Sequence, residues 1–198
     1  MRRLPTYVAL ALASAALSAV GCAPKAVRGE QVEGLDNEAM STGLDRYDLQ
    51  KMLHENMEAL QAAPIIQRWE KESMPKVAVI PLRNETSEHI DSPLEALSSK
   101  IETTLYKAGH VTVINLAAQP GLMEQVRQAQ GDAYDPAQAT QWGRQLAAQY
   151  IVTGRVYSVD ERQKKERRVQ YFMFLQVLEV ETGAILFQNE TAVTKAII

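Results

Sequence analysis

An α/β fold built on one mixed sheet is what this sequence predicts, and three observations carry that expectation. Short β-branched runs such as KVAVIPL, from Lys76, alternate with capped segments of helical period. From Tyr150 onward the chain changes to three strand-like runs with tight connections, which requires antiparallel pairing. The residues up to Cys22 follow neither pattern and stand outside the fold.

Arg2 and Arg3 precede an uncharged apolar stretch, Tyr7 to Val20, too short for a comfortable permanent span. It closes on small residues, Ala19-Val20-Gly21-Cys22, so residues 1–21 are expected to be a secretory signal. Cys22 is the only cysteine, and Ala-Val-Gly-Cys resembles a lipobox, with Ala19 where Leu is commoner. A thiol exported to an oxidising compartment would have no partner in this chain, whereas a lipidated one needs none. Lipid attachment at Cys22 is therefore expected, and several acyl chains at about 0.8 kcal/mol per buried methylene hold a protein at a membrane. An ordinary signal with a chance cysteine is the alternative. Ala23 follows where an acidic residue would favour inner-membrane retention, so the expected address is the periplasmic face of the outer membrane.

The chain has 21 basic and 24 acidic side chains; losing Arg2 and Arg3 with the signal leaves 19 against 24. A mildly acidic surface argues against a nucleic-acid partner. Roughly 175 mature residues fit one domain with an extended start. Residues 22–43 are polar and aperiodic and read as a lipidated flexible linker, about 65 Å long at full stretch. The domain is expected over 44–198, with a helical segment over 44–73 and a core over 76–198.

Leu49, Met52, Leu53, Met57 and Leu60 lie at helical spacing with Asp45 as cap, and Pro64 divides the segment. Ile65, Ile66 and Trp69 form the apolar face of the second piece. If this segment stood away from the domain, it would lengthen the tether by roughly 1.5 Å per residue. KVAVIPL is the first strand and Arg83 to Asp91 a polar loop. Ser92, Pro93 and Glu95 read as a capping box opening a helix that carries Leu94, Leu97, Ile101, Leu105 and Ala108 and ends at Gly109. His110 to Asn115 is the second strand, Gly121 to Gln130 a short helix, and Asp135-Pro136 opens another with Ala139, Trp142 and Leu146 on one side. Strands over Tyr150–Val159, Arg168–Glu181 and Ala184–Val193 close the chain, with the charged stretch 160–167 between the first two. The expected architecture is β-α-β-α-α-β-β-β, a mixed sheet with helices packed on one face, preceded by the N-terminal helical segment.

Catalytic chemistry is thinly represented. His54, His89 and His110 have no paired-ligand spacing, and no second cysteine exists, so neither a metal site nor a thiol catalyst is expected. No nucleophile elbow, phosphate loop or dinucleotide fingerprint occurs, and no cofactor or small-molecule substrate is expected. The loop Asn84 to Asp91 gathers Glu85, Glu88, His89 and Asp91, which fits either an acid/base or cation site or a polar loop capping the next helix. His89, at a strand's carboxyl end, suits a binding surface. Arg162, Lys164, Lys165, Arg167 and Arg168 form a basic run interleaved with Glu161 and Glu166, readable as a steering hairpin tip or as a solvated turn.

Several ordered pieces carry a resemblance. A strand running into RNETSEHID (Arg83 to Asp91), the preceding Ile65-Ile66-Gln67-Arg68-Trp69, Tyr150-Ile151-Val152-Thr153-Gly154-Arg155-Val156 after Ala147, and LEVETGAILF from Leu178 to Phe187 occur in sequence behind the lipobox. Together they resemble the LpoB family, outer-membrane lipoproteins that activate bifunctional penicillin-binding proteins. The resemblance spans Leu44 to the C-terminus. It implies a fold similar to the N-terminal domain of TolB and to curli-secretion lipoproteins, a protein partner, a membrane anchor and no enzymatic activity. The Arg83–His89 loop and the Arg162–Arg168 tip are the expected contacts. One departure concerns reach: the enterobacterial activators carry a long proline-rich linker, whereas the linker here is short with Pro24 alone. The alternative function is a curli-type secretion or envelope-assembly lipoprotein, which would need extra alternating strand pairs to build a barrel.

Overall fold

A computed structural model describes residues 43–129, 134–163 and 166–197, with backbone alone at 162–163, 166–167 and 196–197. Helix α1 runs Arg46–Gln61. The Asp45 side chain accepts from the Asp48 amide at 3.0 Å, and the Asp48 carboxylate accepts from the Asp45 amide at 3.1 Å, a reciprocal cap. Leu49, Met52, Leu53, Met57 and Leu60 are all buried, as the spacing predicts. Pro64 opens α2, Pro64–Lys71, where its missing N–H costs nothing, and Ile65 and Trp69 are buried.

The sheet contains β1 (Lys76–Val79), β2 (Arg83–Glu85), β3 (Thr112–Ile114), β4 (Tyr150–Gln163), β5 (Glu166–Glu179) and β6 (Ile185–Ile197). Helix α3 (Asp91–Ala108) connects β2 to β3, and α4 (Pro120–Gln128) and α5 (Pro136–Gln145) connect β3 to β4. The order is β3-β1-β4-β5-β6, with β2 beside β4. Strands β1, β2, β3 and β4 pair in parallel, whereas β4, β5 and β6 are antiparallel. The α/β class with a mixed sheet is thus as the sequence predicts.

The helices, however, lie on both faces. Val77, Val79, Tyr150, Val152, Met173 and Leu175 pack with α1, α2 and α3. Ala78, Ile80, Ile151 and Leu178 point the other way and pack with α4 and α5. Handedness explains the division. The chain steps from β1 to β3 in one direction, then back past β1 to β4 in the other. Parallel crossovers are right-handed, so reversing direction moves the connecting helices to the opposite face.

Three local expectations are also corrected. Residues 160–163 and 166–167 belong to the strands themselves, so the charged stretch extends the hairpin ladder. Arg83 to Glu85 form β2, a piece too short to show a period of its own. Finally, α3 begins at Asp91 with Ile90 at the cap and no side-chain cap bond, so the Ser92 capping box does not form. The Leu94 amide donates to the Ile90 carbonyl at 2.9 Å, and the Ile90 side chain is buried, so core packing sets this start. The other end is as predicted: Gly109 takes φ 75° and stops the helix.

Helix α1 is bound to the sheet through polar contacts as well as apolar ones. Asn56 Nδ2 donates to the Met173 carbonyl at 3.1 Å and to Thr191 Oγ1 at 2.8 Å, and Asn189 donates back to Asn56 Oδ1. Packed in this way, α1 does not stand away from the domain.

Candidate docking surface

Helix α5 covers only the Ile151–Leu178 end of its face of the sheet. Further along the hairpin Val159 is exposed, as are Gln188, Glu190, Ala192 and Thr194 of β6. Strand alternation places Arg155 and Tyr157 on this face, opposite Phe174 and Phe172 respectively. The guanidinium of Arg155 sits 5.0 Å from the Tyr157 ring, 5.8 Å from Tyr134 and 5.9 Å from Phe174. Tyr157 stacks on Phe172 at 4.9 Å, and Tyr134 meets Phe174 edge-on at 6.1 Å. One cation is therefore framed by aromatic rings.

Polar contacts hold this frame rigid. Arg155 pairs with Glu85 Oε2 at 3.1 Å, while Glu85 Oε1 accepts from the Tyr134 amide at 2.8 Å. Tyr157 Oη donates to Glu190 at 2.7 Å, and Tyr134 Oη to Gln176 at 2.7 Å. Burial pushes the Tyr134 phenol up to about 12, so it is neutral at any physiological pH. Arg155 Nε is buried with no hydrogen-bond partner among the described residues, while its side chain as a whole is 37% exposed. The arrangement suits docking: aromatic rings and arginine supply most of the energy at protein interfaces, and here they are already ordered.

The loop residues expected as contacts divide in role. Arg83 is buried, hydrogen-bonded to Gln138 and set over Trp142, so it braces the interior. Asn84 ties the loop together through Thr86, the Glu88 carbonyl and Asp91. Glu85 belongs to the aromatic frame, and Glu88 accepts from Tyr171 Oη at 2.9 Å. His89 is exposed. These engagements support the reading of a structured polar loop at the border of the sheet face. At the hairpin tip Arg168 is exposed opposite Glu161. The Arg162 and Arg167 side chains, and Lys164 and Lys165 altogether, lie outside the described residues, as does Cys22. Sequence reasoning missed Arg155, Tyr157, Phe172 and Phe174; their two-residue spacing was the signal, but which face lay open was not visible in it.

A separate open cleft of about 690 Å³ lies at the other end of β4, lined by Arg68, Glu72, Tyr150 and Glu179 among others. Three of its charged groups satisfy one another: Arg68 bonds Glu72 at 2.7 Å and Glu179 at 2.5 Å, and Tyr150 Oη donates to Glu72. Among the described residues no group of three potential metal ligands occurs, and no helix is long and apolar enough to cross a membrane.

Comparison with known proteins gives one family. No curated protein matches the chain. Among solved structures, the LpoB C-terminal domain from Salmonella enterica is 16% identical, covering 76% of this chain and 98% of that one at a TM-score of 0.45. A lipoprotein from Neisseria meningitidis is 13% identical, covering 62% and 83% at 0.44. The LpoB C-terminal domain from Escherichia coli is 16% identical, covering 66% and 93% at 0.42. The family model of the peptidoglycan-synthase activator LpoB matches residues 48–193, well over half of the chain, which therefore belongs to the LpoB family.

Proposed function

We propose that this chain is a non-enzymatic, lipid-anchored activator that docks on a bifunctional penicillin-binding protein from the periplasmic face of the outer membrane. Membership of a family of peptidoglycan-synthase activators supports the partner class. The single observation that carries the docking mode is Arg155 held among Tyr134, Tyr157 and Phe174 on an open sheet face. Such a surface suits the docking of a protein. Activation is then a coupling: binding favours the active state of the synthase by the difference in affinity for its two states. The Arg83–His89 loop borders the contact, and the basic run from Arg162 to Arg168 steers the approach.

Cys22 carries the lipid in this reading, and a tether of about 20 residues reaches at most about 65 Å. The test is glycan polymerisation by each bifunctional synthase of the organism, with and without residues 23–198. Acceleration of one of them, reduced by Tyr157→Ala, is the expected result. If none binds and none speeds up, the activator reading is wrong and the secretion-type alternative replaces it. Metabolic labelling with a palmitate analogue tests the anchor: the native chain takes up label and Cys22→Ser does not.

A further inference from the structure

The reversal of crossover direction at β1 has a second consequence. In open α/β sheets it opens a crevice outside the carboxyl ends of the strands, where helices of opposite faces part. A crevice is present at that place, between α3 and α4. Two adjoining compartments of about 230 and 160 Å³ share Pro81, Glu95 and Met123 as lining. Leu82, Leu94 and Val126 make the larger one apolar. Ser98, Glu102 and Asn115 make the smaller one polar. Its floor is hydrogen-bonded, since Ser98 Oγ accepts from the Leu82 amide at 3.3 Å and donates to the Leu94 carbonyl at 2.9 Å.

The charges around it are unbalanced. Asp91, Glu95, Ser98 and Glu102 recur at helical spacing along the α3 wall. Asp91 is engaged by Asn84, but no cation pairs with Glu95 or Glu102 among the described residues. Arg127, on the α4 side, is the one cation among the lining residues described. Burial raises the Glu102 carboxyl above its ordinary value, the mark of a carboxylate without a compensating partner. Size narrows the occupant further. The apolar compartment of about 230 Å³ admits one large side chain, with the polar compartment directly beside it.

We infer that this crevice receives a segment of a partner protein that presents a large apolar side chain beside a lysine or arginine. The apolar group enters between Leu94 and Met123, and the cation meets Glu95 and Glu102. This holds whether or not the partner is a peptidoglycan synthase, and the test involves no synthase.

The chain from Ala23 on, which retains both hydrophobic cores, is labelled at its methyl groups and titrated with capped tripeptides. Lys-Phe-Lys should shift the Leu94, Met123 and Val126 resonances saturably, at millimolar concentration. Glu-Phe-Glu and Lys-Ala-Lys should each bind at least tenfold more weakly, and the Glu95→Gln, Glu102→Gln double variant should lose about tenfold for Lys-Phe-Lys. Absence of shifts, or equal shifts with Glu-Phe-Glu or Lys-Ala-Lys, overturns the inference. Equal affinity for 2-phenylethylamine would make it a site for free organic amines, and shifts on dilution alone a self-association surface; either result also overturns it. The tripeptide comparison on the unaltered chain decides the matter even if the double variant misfolds.

Discussion

The Lys195 ammonium lies 2.7 Å from the Asp45 carboxylate and 2.6 Å from that of Asp48, joining the last strand to the first turn of the first helix. It also donates to the Gly43 carbonyl at 2.8 Å, and its side chain is only 7% exposed. Gly43, the first residue described, is thereby fastened to the sheet edge.

Replacing Lys195 by Met leaves two carboxylates without their cation, one of them nearly buried, and should cost about 2–3 kcal/mol of unfolding free energy. Burial opposes ionisation of Asp45, yet the Lys195 hydrogen bond and the Asp48 and Tyr47 backbone contacts take its carboxyl below the ordinary 3.8. That contribution is present above the unfolded value and is lost as pH falls through the lower folded one. Burial likewise opposes the charge on Lys195, but Asp45 and Asp48 raise it above the ordinary 10.5. Its share is present below 10.5 and is lost as pH rises through the folded value. Urea melts should therefore show a stability gap between native and variant that is flat from about pH 5 to 9 and shrinks at both extremes.

The two helix starts read from sequence should respond differently to alanine. Asp135 accepts from the Ala137 amide at 2.9 Å, so Asp135→Ala should lower stability by about 1 kcal/mol. Ser92 caps nothing, and Ser92→Ala should change stability by less than about 0.5 kcal/mol. Denaturant midpoints of the two variants, compared at equal m-value, check the contrast.

Gly154 is a site of close strand approach. A Cβ there would lie 2.0 Å from the Phe174 carbonyl oxygen and 3.1 Å from Leu82 Cδ2. The carbonyl belongs to the paired strand and cannot swing away, so Gly154→Ala should cost about 2–4 kcal/mol. Thermal unfolding would register this as a drop of roughly 4–16 degrees for a domain of this size.

On the proposed docking face, Tyr157→Ala should weaken synthase binding by about tenfold or more, chiefly through faster dissociation. Reversing Lys164 and Lys165 to Glu should act on the association rate instead. That effect should be larger at low salt, because exposed charges are screened over about 8–10 Å at ordinary ionic strength. Surface plasmon resonance at two salt concentrations separates the two behaviours.

Local backbone chemistry is legible in the order of the residues. Pro64 divides the first two helices because it lacks an N–H, Asp45 and Asp135 cap because their short carboxylates reach free amides, and Gly109 ends α3 because it enters the left-handed region. Glu181-Thr182-Gly183 reads as a tight turn between strands for the same reason, and Gly183 there takes φ 73°. The tertiary structure decided what depends on neighbours distant in sequence. Helices cover both faces because strand order reverses at β1, and handedness acts on that order. The start of α3 moved to Asp91 because burial of Ile90 outweighed a possible serine cap. Arg155 and Phe174 became partners through the register of β4 against β5, although nineteen positions separate them in the chain. A docking face made of cross-strand pairs exists only once strands are aligned, and one sequence read along its own length contains no such alignment.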